Sequence, residues 1–174
     1  MNKAEIITSM QKNHADFIAL IASLNENDFC KQVDDKWTPA QQAKHIYKSA
    51  HPVNLALSLP LFIPALLFGK ANRSSGTYDA LVEKYHAKLA AGYKAGKAFV
   101  PKAINFSEQK KLAIQLQQLI DALCRKTDRL SEEELDQYIL PHPLLGKLTY
   151  REMLYFTAYH VQHHQSSVEK IIQS

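Results

Sequence analysis

Apolar residues recur at steps of three and four in four separate stretches of the chain, the spacing that lines one face of a helix. Ile6, Met10, His14, Phe17, Ile21 and Leu24 predict a first helix over residues 3–24, with His14 in an apolar position. There it reads as a core histidine bonded to a polar neighbour, or as a companion of a metal site. Ala43, Ile46, Ala50 and Val53 mark a second helix, whose start is punctuated by "WTPAQ". Thr38 suits the cap, Pro39 the first helical position and Gln41 the reciprocal place of a capping box. Beside that apolar line runs a polar one, Gln41, His45 and Ser49, which suits an exposed edge or a site inside a bundle. Leu112, Leu116, Leu119, Leu123 and Leu130 mark a third helix, from a cap candidate near Ser107 to about residue 129. Thr149 and Glu152 form another capping box. It opens a fourth helix that runs to the end of the chain with Met153, Phe156, Val161, Val168 and Ile171 mostly inward.

The intervening segments are less regular. Residues 53–68 extend the second helix in kinked form or fold as an apolar hairpin, and serve as core, a subunit contact or an apolar lid. Residues 69–77 read as a loop, 78–95 as helical and 96–106 as a connection. "SEEELDQYI" is a capped turn of helix, and "LPHPLLGKL" an extended link with a tight turn at Gly146. The expected architecture is all-α: an up-and-down four-helix bundle with a partly helical insertion between helices two and three. One domain over residues 1–174 is expected at this length.

Composition changes this picture little. Five glycines favour helices over a many-stranded sheet, and the two cysteines, Cys30 and Cys124, fit ordinary buried thiols in a reducing compartment. The formal charge is only +4, and the lysines between Lys84 and Lys111 carry no RNA-binding or helix-turn-helix pattern. No nucleic-acid partner is expected. The most apolar stretch, residues 53–68, falls short of the roughly 20 residues of a spanning helix and contains Pro60 and Pro64. A soluble cytoplasmic protein without a membrane partner is expected, and the same stretch suggests a homodimer.

The chemistry concentrates in "YHVQHHQ" at residues 159–165. On a helix, positions four apart differ by about 40° in azimuth and about 6 Å in height, so His160 and His164 can converge on one ion. His160 and His163 can also converge, from the other side. With alternating helix directions, helices two and four are parallel. His45 then lies roughly 10 Å past its cap, and His160 and His164 roughly 16–22 Å past theirs. Offset helix starts would close that gap.

"WTPAQQAKH" and "HPLLGKLTYREMLYFTAYHVQHHQ" resemble, in order and spacing, the segments that characterise the DinB-like superfamily of metalloenzymes. The similarity covers most of the chain and is poorest over residues 60–100. It implies a four-helix bundle that holds a divalent metal through three histidines, carried here by His45, His160 and His164. His163 is then a neighbour, although it is the alternative to His164. His51 and His142 adjoin prolines and read as loop or helix-end residues, with His142 able to reach the cleft; His86 reads as surface.

Three neutral imidazoles leave a position open, the arrangement of catalytic rather than structural zinc sites. Zinc and nickel are the favoured ions, although imidazole also suits copper and iron. Relatives of this type include transferases and isomerases that use low-molecular-weight thiols. The leading expectation is therefore a metal-dependent thiol S-transferase acting on a small-molecule substrate, with the thiol as co-substrate. A metal-dependent hydrolase is the alternative, and a non-catalytic bundle with a vestigial site the third reading. No residue is singled out as catalytic, and no organic cofactor is expected.

Overall fold

In the computed structural model, which describes residues 1–174, eight helices follow one another. They are α1 (Lys3–Ser23), α2 (Glu26–Phe29), α3 (Pro39–Ala56), α4 (Phe62–Phe68), α5 (Tyr78–Ala90), α6 (Gln109–Asp128), α7 (Glu132–Gln137) and α8 (Tyr150–Gln173). A hairpin of β1 (Ile139–His142) and β2 (Gly146–Thr149) separates the last two. Four of the helices are long and form the bundle: α1, α3, α6 and α8.

Local chemistry fixes where these helices start. Reciprocal capping boxes close α1 at Asn2 and Glu5, α3 at Thr38 and Gln41, and α8 at Thr149 and Glu152. The third long helix is entered differently from the expectation at Ser107. A turn of 3-10 helix at Phe106–Glu108 precedes it, and the Glu108 side chain accepts from the Asn105 N–H at 3.3 Å. The apolar stripes face inward and, apart from Ile171 near the end of α8, their buried apolar members join one core of 31 buried residues. Only Leu130 of the third stripe remains partly exposed.

Polar bonds between helices set their directions. Gln109 at the start of α6 donates to Ile21 and Leu24 at the end of α1, while Lys3 reaches Asp128 at the other extreme. Those two helices are antiparallel. Lys126 near the end of α6 donates to Asn54 near the end of α3, and Arg151 at the start of α8 donates to Met1 O. One end of the bundle thus gathers the starts of α1 and α8 with the ends of α3 and α6. α3 and α8 are therefore antiparallel, not parallel as strict alternation of directions would make them. Measured from the end that the start of α3 shares with the end of α8, His45 lies roughly 10 Å in, and His164 and His160 roughly 15 and 21 Å in. The mismatch is nearly that of the alternating arrangement, and it is the stagger of the helix ends that brings the rings together.

The apolar stretch at residues 53–68 is core only in part: Val53 and Pro64 are buried, and much of the rest lies on the surface. α3 runs through Pro52 to Ala56, and α4 follows as a separate short helix. Phe62 is 70% exposed and Leu66 84%, with Leu55, Leu59 and Leu67 also on the surface. Cys30 is exposed as well, contrary to expectation, while Cys124 is buried. The link around Gly146 is more ordered than an extended connection: β1 and β2 pair antiparallel, with His142 opposite Gly146. Gly146 takes φ 81°, a left-handed conformation that its lack of a Cβ permits. No helix is long and apolar enough to cross a membrane.

Candidate metal centre

His45 sits two turns into α3, and His160 and His164 one turn apart on α8. All three are buried, although the lines they stand on are otherwise a mix of polar and apolar positions. Their ligand atoms lie within 4.8 Å of one another. His160 Nε2 is the centre of the group, 3.3 Å from His45 Nε2 and 3.0 Å from His164 Nε2. Two ligands bound tetrahedrally at about 2.0–2.1 Å stand roughly 3.3 Å apart, so the spacing suits a small divalent ion.

The hydrogen bonds around the cluster fix which nitrogens face inward. His45 Nδ1–H donates to Phe99 O at 2.9 Å, and His164 Nδ1–H donates to the Gln42 side-chain oxygen. Each ring therefore presents the lone pair of Nε2 to the centre. A proton on His160 Nε2 can satisfy one of those lone pairs, and the Ser49 hydroxyl, 3.4 Å from His45 Nε2, can reach the other. With its own proton on Nδ1, His160 also turns a lone pair to the centre, and three convergent imidazole lone pairs are what a divalent cation would complete. Outer partners of this kind also fix ring orientation and raise ligand basicity in metal sites.

Electrostatics keep the rings neutral. Burial holds His160 and His164 well below the usual histidine range, and the neighbouring histidines push them further down. Burial also lowers His45, against the bond to Phe99, with Lys48 and His163 adding to the decrease. Neutral imidazole is the form that binds a metal.

Packing holds the same three side chains. The Trp37 ring lies 4.8 Å from that of His45 and stacks on His164 at 6.3 Å, and Phe156 stacks on His160 at 4.6 Å. The cluster opens into a cavity of about 790 Å³, walled by α3, α8, the hairpin, Tyr85 and Leu89 of α5 and the segment around Phe99. Of the 33 residues that line it, 16 are hydrophobic, which suits an organic ligand better than a hydrated ion alone.

The remaining histidines divide clearly. His163 stays outside the cluster and packs edge-on against Tyr85 and His164. His14 is the core histidine foreseen, with Nδ1–H donating to Met10 O at 2.8 Å; burial lowers its pKa to about 4. It nevertheless borders the cavity, as does His142. His51 is exposed against Tyr47, and His86 is exposed but bonded to the Tyr159 hydroxyl. Gln42 was not foreseen. Its place one turn before His45 is the sole sequence signal for it. Phe99 acts through a backbone oxygen and leaves no signal in residue type.

An all-α bundle with three buried histidines converging at the mouth of an organic-sized cavity defines the class. The chain belongs to the DinB superfamily, whose family model matches residues 9–168. No curated protein matches it.

Proposed function

We propose that His45, His160 and His164 bind one divalent ion, zinc or nickel, and that the protein is a metal-dependent thiol S-transferase. The convergence of three Nε2 atoms at the edge of a half-apolar cavity is the observation that carries this reading. Such an ion leaves an open position and lowers the pKa of a thiol or water that enters it. The chain's own residues do the rest. Gln42 and Phe99 hold the rings in the tautomer that faces the ion, Trp37 and Phe156 wall off solvent, and the apolar lining receives an organic electrophile.

Hydrolysis ranks second for a physical reason. Water needs a general base, and the only carboxylate that borders the cavity is the exposed Asp35. His14 is a weak base at neutral pH, with its pKa at about 4. Glu152 is fully engaged elsewhere, accepting from Arg73, Gly76 and Thr149. A thiol, with a pKa of about 8.5 in free form, makes a smaller demand on any base.

The test is conjugation of cysteine, glutathione or 2-mercaptoethanol with 1-chloro-2,4-dinitrobenzene by zinc- or nickel-loaded protein. Sulfur forms a bond to the ring carbon, chloride leaves and the thiol proton passes to solvent. Turnover above the uncatalysed rate that vanishes in His45→Ala is the expected result. No turnover with any thiol, alongside ester hydrolysis by the same loaded protein, would favour the second reading.

Gln42 offers a graded check on the site. Gln42→Ala removes the acceptor for His164 Nδ1–H without touching a ligand, and is expected to weaken zinc affinity roughly 10- to 100-fold. A competitive chelator titration measures it; an unchanged affinity contradicts the role given to Gln42. The exposed apolar face around α4 supports a homodimer, for which light scattering should return twice the chain mass.

A further inference from the structure

His142 belongs to neither the metal cluster nor the core, yet it is held firmly. It ends β1, and its Nδ1 accepts two backbone hydrogen bonds from the turn that follows, Leu144 N–H at 3.2 Å and Leu145 N–H at 3.1 Å. Its ring packs edge-on against Phe156 at 4.3 Å, and Phe156 in turn stacks on His160. The ring is therefore fixed in position by a hairpin on one side and an aromatic on the other, one side chain away from the histidine cluster.

Two donors aimed at Nδ1 mean that this nitrogen carries a lone pair, which assigns the tautomer from the hydrogen-bond network. The ring proton of neutral imidazole then sits on Nε2. Nε2 has no acceptor in the protein and is not sealed from the space around it. The residue borders the 790 Å³ cavity. Burial, with Lys84 adding to it, lowers the His142 pKa to about 4, so the ring is neutral at ordinary pH.

We infer that the Nε2–H of His142 is a fixed hydrogen-bond donor to the substrate in this cavity, and selects an apolar electrophile that carries an acceptor oxygen, such as a carbonyl. Its neutral state makes it a polarising donor rather than a proton-taking base. The inference deepens the proposed function and rests on the cavity being the substrate's site. It does not require that the metal reading be correct.

Two substitutions separate the donor from its structural role. In His142→Asn the side-chain oxygen takes the place of Nδ1 and preserves the turn, but nothing replaces Nε2–H. His142→Gln places an amide N–H where Nε2–H stood and gives up the bonds to Leu144 and Leu145. The probes are acetophenone and ethylbenzene, similar in shape and differing in the carbonyl oxygen. Binding is measured by NMR titration of protein as purified, with the metal content of each sample determined in parallel.

Wild type is expected to prefer acetophenone by roughly three- to tenfold, the worth of one net hydrogen bond. His142→Asn should lose the preference while keeping the wild-type melting temperature, and His142→Gln should keep a preference at a lower one. Nitrogen-15 spectra of the wild-type ring should show a protonated Nε2 and an unprotonated Nδ1. A wild type that binds neither probe, or both equally, overturns the inference. So does a preference that survives in His142→Asn, or a protonated Nδ1. Absence of metal from the wild type would contradict the proposed function, but the probe comparison would still decide the role of His142.

Discussion

His160→Ala should abolish metal retention, with zinc affinity falling by more than the roughly 100-fold that loss of an outer partner can cause. His160 Nε2 is the atom through which His45 and His164 meet, at 3.3 and 3.0 Å. Without it, two imidazoles from different helices remain, and nothing on α8 takes the vacated place, because His163 faces Tyr85 instead. The bundle should still fold, since the core of 31 buried residues does not include the three histidines. Metal analysis after dialysis against a weak chelator, with circular dichroism on the same sample, measures both outcomes. Retention of one ion per chain by a folded His160→Ala protein would exclude the three-histidine site.

The second large effect is on stability. Glu152→Ala should lower unfolding free energy by about 2–4 kcal/mol. Its buried carboxylate accepts from both Arg73 guanidinium nitrogens at 2.6 and 2.8 Å, from Gly76 N–H at 2.7 Å and from Thr149 N–H at 2.9 Å. Burial raises its pKa, but those bonds outweigh burial and hold it below the usual carboxylate range. Arg73 is about half exposed and can return to water, so the cost falls mainly on the orphaned N–H groups and the lost cap. Gly76 has a specific part in this contact: a Cβ there would meet Glu152 Oε1 at 3.2 Å. Urea unfolding should show a lower midpoint at unchanged slope. A midpoint equal to that of wild type would mean that the loop before α5 is not tied to α8 by this carboxylate.

Helix periodicity and capping chemistry carry most of the legible fold. Thr38, Pro39 and Gln41 announce α3, and Thr149 and Glu152 announce α8, because a cap is a local event between residues three apart. Helix direction is not local. It is set by distant pairs such as Gln109 with Ile21 and Lys126 with Asn54, so alternation gave α3 and α8 the wrong relative sense. The apolar run at residues 53–68 left core and surface open for a related reason: composition cannot distinguish an apolar surface from core, and the run divides between a buried Val53 and Pro64 and an exposed Phe62 and Leu66. Within the site, the three histidines were accessible through spacing and family resemblance. Gln42 and Phe99 were not, because an outer partner is defined by where a ring turns in space. His142, between two prolines, reads from sequence as a loop residue able to reach the cleft; it does border the cavity, and only the hairpin shows how its ring is held.

X-ray absorption at the metal edge of zinc-loaded, tag-free protein shows directly whether three histidines hold the ion. The expected spectrum is that of one zinc per chain with three imidazole nitrogens at about 2.0–2.1 Å and one exchangeable oxygen, replaced by sulfur when a small thiol is added. A shell closed by four protein ligands, or failure to take up zinc, would contradict it.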